Sequence, residues 1–406
     1  MAKLLIIADD LTGALDSAAQ FVKKQISVAV ATDIDNLKNI QGKHEVLAVN
    51  TESRHMSAQK AAEVVRVAAE YGVSMGIQYC YKKIDSTLRG NIGAELEALF
   101  DICANSELML VPSYCKLGRT VLDGCLYVRG IPVSETAFGK DPLAPVKKDN
   151  IADVIREQTD IPAYSIKNFF ELPPASKDKK VYIFDAETEK DLYKIGDLLM
   201  RQGRIGMTAG SGGFAGFLSD MPVFEKRLDE KVKVKPPILT VCGSLNEVSR
   251  RQISYAAGLG HRIIGVDFES AENASSLNRE IEQAVDFLKK GVNVIVKTLP
   301  PQNLDRAVAR RKIKTEALKI SKILGDFARD IIEGSGISTL MVFGGDTAAG
   351  TLNSLGISWV EPLKEISPGV VLSKTVNLRH SLLLITKAGG FGDEDLIEKI
   401  TEMMEG

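Results

Sequence analysis

The sequence predicts an α/β protein of two domains, each a mainly parallel sheet flanked by helices, with the active site in the interdomain cleft. Three observations carry this expectation. Short apolar runs alternate with amphipathic helical patterns along the chain, the signature of βαβ units. The 406 residues exceed the roughly 250 to 300 at which a single core stops growing. A charged segment closed by two prolines, Phe224 to Pro237, interrupts the alternation as a semi-rigid spacer would. The expected organisation is therefore a first domain over 1–223, a linker over 224–237 and a second domain over 238–406.

In the first domain, strands are expected at Leu4 to Ala8, Val28 to Ala31, Val46 to Val49, Tyr79 to Ile84 and Leu108 to Val111. Helices are expected near Thr12 to Lys24, Ser57 to Tyr71 and Asn91 to Cys103. Residues 112–150 are richer in Pro, Gly and turn residues, which suggests a long excursion or an antiparallel flap. Alternation resumes at Val181 to Phe184 and Ile205 to Ala209. The second series of strands is expected at Ile238 to Val241, Ile263 to Val266, Val292 to Lys297, Leu340 to Phe343 and Leu382 to Ile385.

Composition narrows the function. With 51 basic and 53 acidic residues the net charge is -2, too balanced for the basic stripe of a nucleic-acid binder. No apolar stretch approaches the roughly 20 residues needed to span a bilayer, and the start Met-Ala-Lys lacks a secretory h-region. The reading is cytoplasmic, with neither nucleic acid nor membrane as partner; a homo-oligomer is compatible with it. The five cysteines contain no Cys-x-x-Cys pair and the four histidines no ligand spacing, so neither a disulfide framework nor a protein-only metal site is expected.

Two segments concentrate the chemistry of the first domain. The strand ending at Ala8 runs into Asp9-Asp10-Leu11-Thr12-Gly13, and Tyr81-Lys82-Lys83-Ile84-Asp85 runs into Ser86-Thr87-Leu88-Arg89-Gly90. Open α/β sheets place ligand-binding groups at such strand ends. Alternation along the second strand sends Lys82 and Ile84 to one face and Lys83 and Asp85 to the other. Arg89 is placed for a bidentate contact with a carboxylate, worth roughly 1.5 to 3 kcal/mol. Arg54 and Arg119 follow other strands and extend the cationic ring, which suits a small anionic, hydroxylated ligand. Competing readings stay open: Asp10 or Thr12 as a helix cap, and Asp85 with Arg89 as an internal ion pair.

The second domain ends three strands in Gly-rich turns: Cys242-Gly243-Ser244, Gly344-Gly345-Asp346-Thr347, and Lys387-Ala388-Gly389-Gly390-Phe391-Gly392. Glycine lets the backbone approach a ligand, and a helix N-terminus offers free N–H groups to phosphate. No Walker-type P-loop is present. The turn Gly210-Ser211-Gly212-Gly213-Phe214-Ala215 has the form of a dinucleotide fingerprint, but it runs into the linker rather than into a strand carrying the acidic residue that pattern requires. Close helix packing is the competing reading there.

Together these segments resemble the four-carbon acid sugar kinase family, the tetronate kinases such as D-threonate, D-erythronate and 3-oxo-tetronate kinase, across nearly the whole chain. The resemblance implies that the N-terminal domain holds the acid sugar, that the C-terminal domain holds ATP, and that phosphate passes to the terminal C4 hydroxyl. It carries nucleotide contact to Ser244, to Gly344, Gly345, Asp346 and Thr347, and to Gly389 and Gly390. Substrate recognition is expected at Asp9, Asp10, Arg54, Lys83, Asp85, Arg89 and Arg119, and catalysis at Asp346, Asp10, Lys83 and Arg89. Asp346 is read either as the base that deprotonates the hydroxyl or as the group that orients Mg²⁺. ATP and Mg²⁺ are the expected cofactors. An NAD(P)-dependent dehydrogenase of a small hydroxy acid and a non-catalytic sugar-acid binder are the alternatives.

Overall fold

The computed structural model describes residues 2–141, 144–167, 172–227, 232–243, 246–267, 274–299, 317–376 and 382–405. Contacts divide the chain into two units, Met1–Leu228 and Asp229–Gly406.

Unit 1 contains strands β1 (Leu4–Ala8), β2 (Val28–Ala31), β3 (Val46–Asn50), β4 (Tyr79–Lys83) and β5 (Glu107–Val111), then β6 (Arg119–Leu122), β7 (Cys125–Val128) and β8 (Ile131–Pro132), and finally β9 (Ala163–Ile166), β10 (Lys180–Phe184) and β11 (Met207–Gly210). Its main sheet runs in the order β2-β3-β1-β4-β11-β5-β10-β9, and every pairing is parallel. Helices α1 (Leu11–Val22), α2 (Ala58–Ser74), α3 (Ile92–Ile102), α4 (Ile151–Arg156), α5 (Glu189–Arg201) and α6 (Gly212–Leu218) connect and cover it. Strands β1, β2 and β3 are buried along their whole lengths, and a strand covered on both faces has apolar residues throughout rather than alternating. The expected flap forms: β6, β7 and β8 make a small antiparallel sheet that touches the main body through a bridge from Val121 to Ala186.

Within the expected linker, residues 224–227 pack on unit 1. Lys226 bridges to Ile26, Arg227 N–H donates to Gln25 O at 2.7 Å, and Phe224 meets Phe21 edge-on at 5.5 Å.

Unit 2 contains β12 (Ile238–Cys242), β13 (Arg262–Val266), β14 (Val294–Thr298), β15 (Thr339–Phe343), β16 (Trp359–Ser367), β17 (Val370–Thr375) and β18 (Leu383–Lys387), with α7 (Glu247–Gly258), α8 (Asn278–Lys289), α9 (Ala317–Ser335), α10 (Gly345–Ser354) and α11 (Leu396–Glu405). The order is β13-β14-β12-β15-β18-β17-β16. The first five strands are parallel, while β17 and β16 add an antiparallel hairpin absent from the sequence reading. Pro362 lies inside β16, and its register shifts at Pro362/Lys364 and at Glu365/Ser367. Such irregularities break the period of two that identifies a strand.

Helices α9 and α10 cross with almost no side chain between them. A Cβ on Gly325 would lie 2.5 Å from Gly350 O, and one on Gly350 would lie 2.6 Å from Ser321 O. Because α10 begins at the Gly344 turn, this contact also fixes a candidate site element. Gly350→Val should cost about 1 to 3 kcal/mol through overpacking, measured by urea unfolding. Gly258→Ala, where nothing lies within 4 Å of the added atom, should stay within about 0.5 kcal/mol of the parent.

Candidate active site

In unit 1 the parallel register sets Ala8 beside both Asn50 and Lys83, so the residues after β1, β3 and β4 emerge side by side. Asp10 caps α1, accepting from Gly13 N–H at 2.9 Å and Thr12 Oγ1 at 2.7 Å. Arg54 reaches across from the turn after β3. Its Nε and Nη2 donate to the two oxygens of Asp9 at 2.7 and 3.0 Å, and its Nη1 donates to Asp10 Oδ2 at 2.8 Å. Asp85 Oδ1 lies 3.7 Å from the same guanidinium. Arg89 grips Asp85 with Nε at 2.8 Å and Nη2 at 3.0 Å, holds Asp141 through Nη1 at 3.3 Å, and lies over the Phe138 ring.

The expected cationic ring is thus a mixed network in which carboxylates and cations neutralise one another. The helix cap at Asp10 and the internal pair of Asp85 with Arg89 are both present. Asp9 is 2% exposed and Asp85 6%. Burial alone would raise the Asp85 pKa, but Arg89 and Arg54 hold it well below the ordinary carboxylate value. Asp10 is likewise lowered, with Arg54 and Lys83 overcoming burial. The turn also carries Leu88 in the left-handed region at φ 65°, a conformation unfavourable to a branched side chain. Thr87 Oγ1 and Arg89 N–H both donate to Asp85 Oδ2 and fix this turn.

The expected alternation along β4 holds. Lys83, 4% exposed, faces Gly13, whose hypothetical Cβ would lie 3.1 Å from its Nζ. Lys82 points the other way, to Glu95 Oε2 of α3 at 3.0 Å. Ser53 Oγ donates to the other Glu95 oxygen, which ties the residue before Arg54 to a buried ion pair. The sequence reading missed Glu95. The available signal was a carboxylate amid the buried residues Ile92, Ala94, Leu96 and Leu99. Arg119 lies close enough to feel the charge of Asp85, and its Nη1 donates to Leu117 O at 2.7 Å. A cavity of about 350 Å³ opens beside Arg54 and Arg89, lined also by Asn91, Lys147 and Gln158.

The fingerprint-like turn at Gly210 is filled by protein. A Cβ on Gly210 would meet Val111 O at 2.2 Å, one on Gly212 would meet Asp16 Oδ2 at 2.2 Å, and one on Gly213 would meet Ser113 O at 2.5 Å. These glycines pack α6 against its neighbours.

In unit 2 the three Gly-rich turns meet. A Cβ on Gly243 would lie 2.3 Å from Thr347 Oγ1, and one on Gly390 would lie 3.7 Å from Asn246 Nδ2. Gly344 N–H donates to Lys387 O at 2.8 Å. Gly344, at φ 98°, caps α10, so Gly345, Asp346 and Thr347 form the first turn of that helix, with Asp346 exposed and Thr347 buried. Gly389 and Gly390 follow β18. Ser244 lies outside the described residues. Among the described residues no three His, Cys, Asp or Glu side chains form a protein-only metal site. Mg²⁺ instead binds through one or two carboxylates plus substrate phosphates, a mode that one exposed carboxylate at a helix N-terminus fits.

Family models match the chain twice: a sugar-binding N-terminal domain over residues 4–218 and a nucleotide-binding C-terminal domain over 239–397. A D-threonate kinase of Salmonella typhimurium is 31% identical, with all of both chains covered. The chain belongs to the four-carbon acid sugar kinase family. Other members include a D-erythronate kinase of Heliobacterium modesticaldum, 27% identical over 97% of this chain and 95% of that one. A 3-oxo-tetronate kinase of Pectobacterium atrosepticum is 25% identical over 98% of both. A solved Salmonella typhimurium structure shares the fold, with TM-score 0.79 at 22% identity over 98% of both chains. A Haemophilus influenzae protein does so with TM-score 0.72 at 19% identity over 98% of this chain and 100% of its own. The kinase's charged cluster thus falls in its sugar-binding domain and its three glycine turns fall in its nucleotide-binding domain. No helix among the described residues is long and apolar enough to cross a membrane.

The ion network makes a pH-dependent prediction. Asp85 has a folded pKa well below its unfolded value near 3.8, so its contribution is present in full above that pH and is lost as the pH falls through the folded value. Arg54→Met removes the cation shared by Asp9, Asp10 and Asp85 and should cost about 3 to 5 kcal/mol at pH 7. The deficit should shrink toward pH 4, because Asp10 and Asp85 in the variant, without the cation that lowers them, take up protons at higher pH. Urea unfolding at the two pH values measures both effects.

Proposed function

We propose that this chain is an ATP-dependent kinase that phosphorylates the terminal C4 hydroxyl of a four-carbon acid sugar, of the threonate, erythronate or 3-oxo-tetronate type, in carbohydrate acid catabolism. One observation carries this reading: the two family domains coincide with two residue clusters of complementary chemistry. In the domain we assign to 1–223, cations and carboxylates alternate around a strand edge. In the domain we assign to 238–406, beyond a linker at 224–237, backbone turns converge. A short polyhydroxy acid needs the first kind of surface and a triphosphate the second.

In this reading Arg89, Arg54, Lys83 and Arg119 address the substrate carboxylate, and Asp9, Asp10 and Asp85 accept hydrogen bonds from its hydroxyls. Arg89 holds Asp141 through one contact of 3.3 Å, which an incoming carboxylate would replace. The N–H groups at Gly345, Asp346 and Thr347 and at Gly389 and Gly390 would take the phosphates, while the Gly344 N–H stays on Lys387 O and holds the turn; the family resemblance adds Ser244 to the nucleotide contacts. Mg²⁺, when bound, would neutralise charge developing on the phosphates, and Asp346 is the residue that would orient it. Alternatively Asp346 accepts the hydroxyl proton. Either way the chain contributes positioning and charge stabilisation, which dominate phosphoryl transfer. ATP as substrate and five thiols, none in a disulfide, support a cytoplasmic setting.

ADP release measured over a panel of C4 acid sugars with Mg-ATP tests the proposal. Turnover on at least one member is expected, and none with folded enzyme would overturn the assignment. On the active substrate, Asp346→Asn should lower turnover at least about a hundredfold if it removes a general base, with sugar binding kept. Near-parental turnover would exclude that role.

A further inference from the structure

Lys387, the last residue of β18, is 0% exposed, and among the described residues no carboxylate pairs with it. Its ammonium instead donates to Gly389 O at 2.9 Å, Phe391 O at 3.1 Å and Ser249 Oγ at 3.2 Å, with Ala388 O at 3.3 Å. It also stands 4.6 Å over the Phe343 ring. Three ammonium protons are matched by three nearest acceptors, so Lys387 has no donor left for a ligand. Two side chains of α7 continue the pattern. Ser249 Oγ donates to Gly389 O at 2.9 Å, and Gln252 Nε2 donates to Phe391 O at 3.1 Å and Asp393 O at 2.8 Å.

The peptide group is planar and trans, so a carbonyl and the N–H of the following residue point in opposite directions. Drawing the Ala388, Gly389 and Phe391 carbonyls inward therefore turns the Gly389, Gly390 and Gly392 N–H groups outward. Successive N–H groups facing one side form an anion-binding concavity. Gly390 is exposed, as such a surface requires. A buried ammonium is costly, and burial pushes the Lys387 pKa down to about 8. A neutral residue would fill this space more cheaply if packing were its sole task.

We propose that Lys387, with Ser249 and Gln252 behind it, is a positioning residue for nucleotide binding: its ammonium gathers the carbonyls of the Gly389–Gly392 turn so that the turn's amides face the phosphates of ATP. This deepens the nucleotide-site reading above and rests on it. Lys387 acts through the turn, and no chemical step passes through it.

The test uses the full chain, with steady-state kinetics in which Mg-ATP and the acid sugar are varied separately, and Mg-ADP binding by calorimetry. Lys387→Met keeps the unbranched stem as far as Cε and removes the ammonium and its donors. It should raise the KM for ATP about tenfold or more, as loss of charge-assisted hydrogen bonds predicts, and weaken Mg-ADP alike, with the sugar KM within about twofold. Gln252→Met keeps the ammonium and should shift the same parameters in the same direction by a smaller factor. If Lys387→Met does not fold, Gln252→Met decides. An unchanged ATP KM in the folded variants, or equal rises in both KM values, would overturn the positioning role. Failure of the parent protein to bind Mg-ADP would instead overturn the nucleotide-site reading and the proposal with it.

Discussion

Three buried or half-buried carboxylates, Asp9, Asp10 and Asp85, stand together at the ends of neighbouring strands with Arg54 among them. Parallel strands ending in register deliver whatever follows them into one small volume, and here β1, β3 and β4 deliver acid, base and acid. The Arg54 charge lowers the pKa of both Asp10 and Asp85 against their burial. The guanidinium suits this position, since its planar fork bonds Asp9 through two nitrogens and still reaches Asp10 through the third. Everything else at this edge supports that placement. Ser53 ties the turn to the buried Lys82 and Glu95 pair, and Arg89 closes the far side on Asp85. The result is a polar site whose side chains are held by one another before any ligand arrives, the condition under which binding costs least.

In the proposed function unit 2 is preorganised by a different route, with the backbone rather than side chains offered as the contact surface. Its strand ends carry glycine where a side chain would collide, as between Gly243 and Thr347. The loops are joined directly, through the bond from Gly344 to Lys387. In the proposed function the two devices suit two kinds of ligand. A chiral polyhydroxy acid must be distinguished atom by atom, which fixed side-chain donors and acceptors accomplish. A phosphate chain needs many equivalent donors at close range, which main-chain amides supply.

Much of this was legible in the sequence because the buried parallel strands are unbroken apolar runs that stop at charged or Gly-rich turns. Leu4–Ala8 and Val28–Ala31 coincide with their expected bounds, and the opposite orientations of Lys82 and Lys83 follow from period two alone. Pairing between elements was not legible. Nothing local in the sequence tells Arg54 that Asp9 and Asp10 will stand opposite it, nor Glu95 that Lys82 will. The hairpin of β16 and β17 escaped because Pro362 and two register shifts erase its period. Lys387 reads locally as a lysine ending a strand, and only the folded loop returns its own carbonyls to it.

The central claim is a division of labour, in which the charged edge of unit 1 takes the acid sugar and the glycine turns of unit 2 take the nucleotide. Amide hydrogen exchange of the full chain, with Mg-ADP alone and then with its acid sugar alone, tests it most directly. Nucleotide should slow exchange at 344–348 and 388–392, and sugar should slow it at 9–13, 52–55 and 83–91. Protection of the unit 1 edge by Mg-ADP alone, with the glycine turns unaffected, would contradict the account.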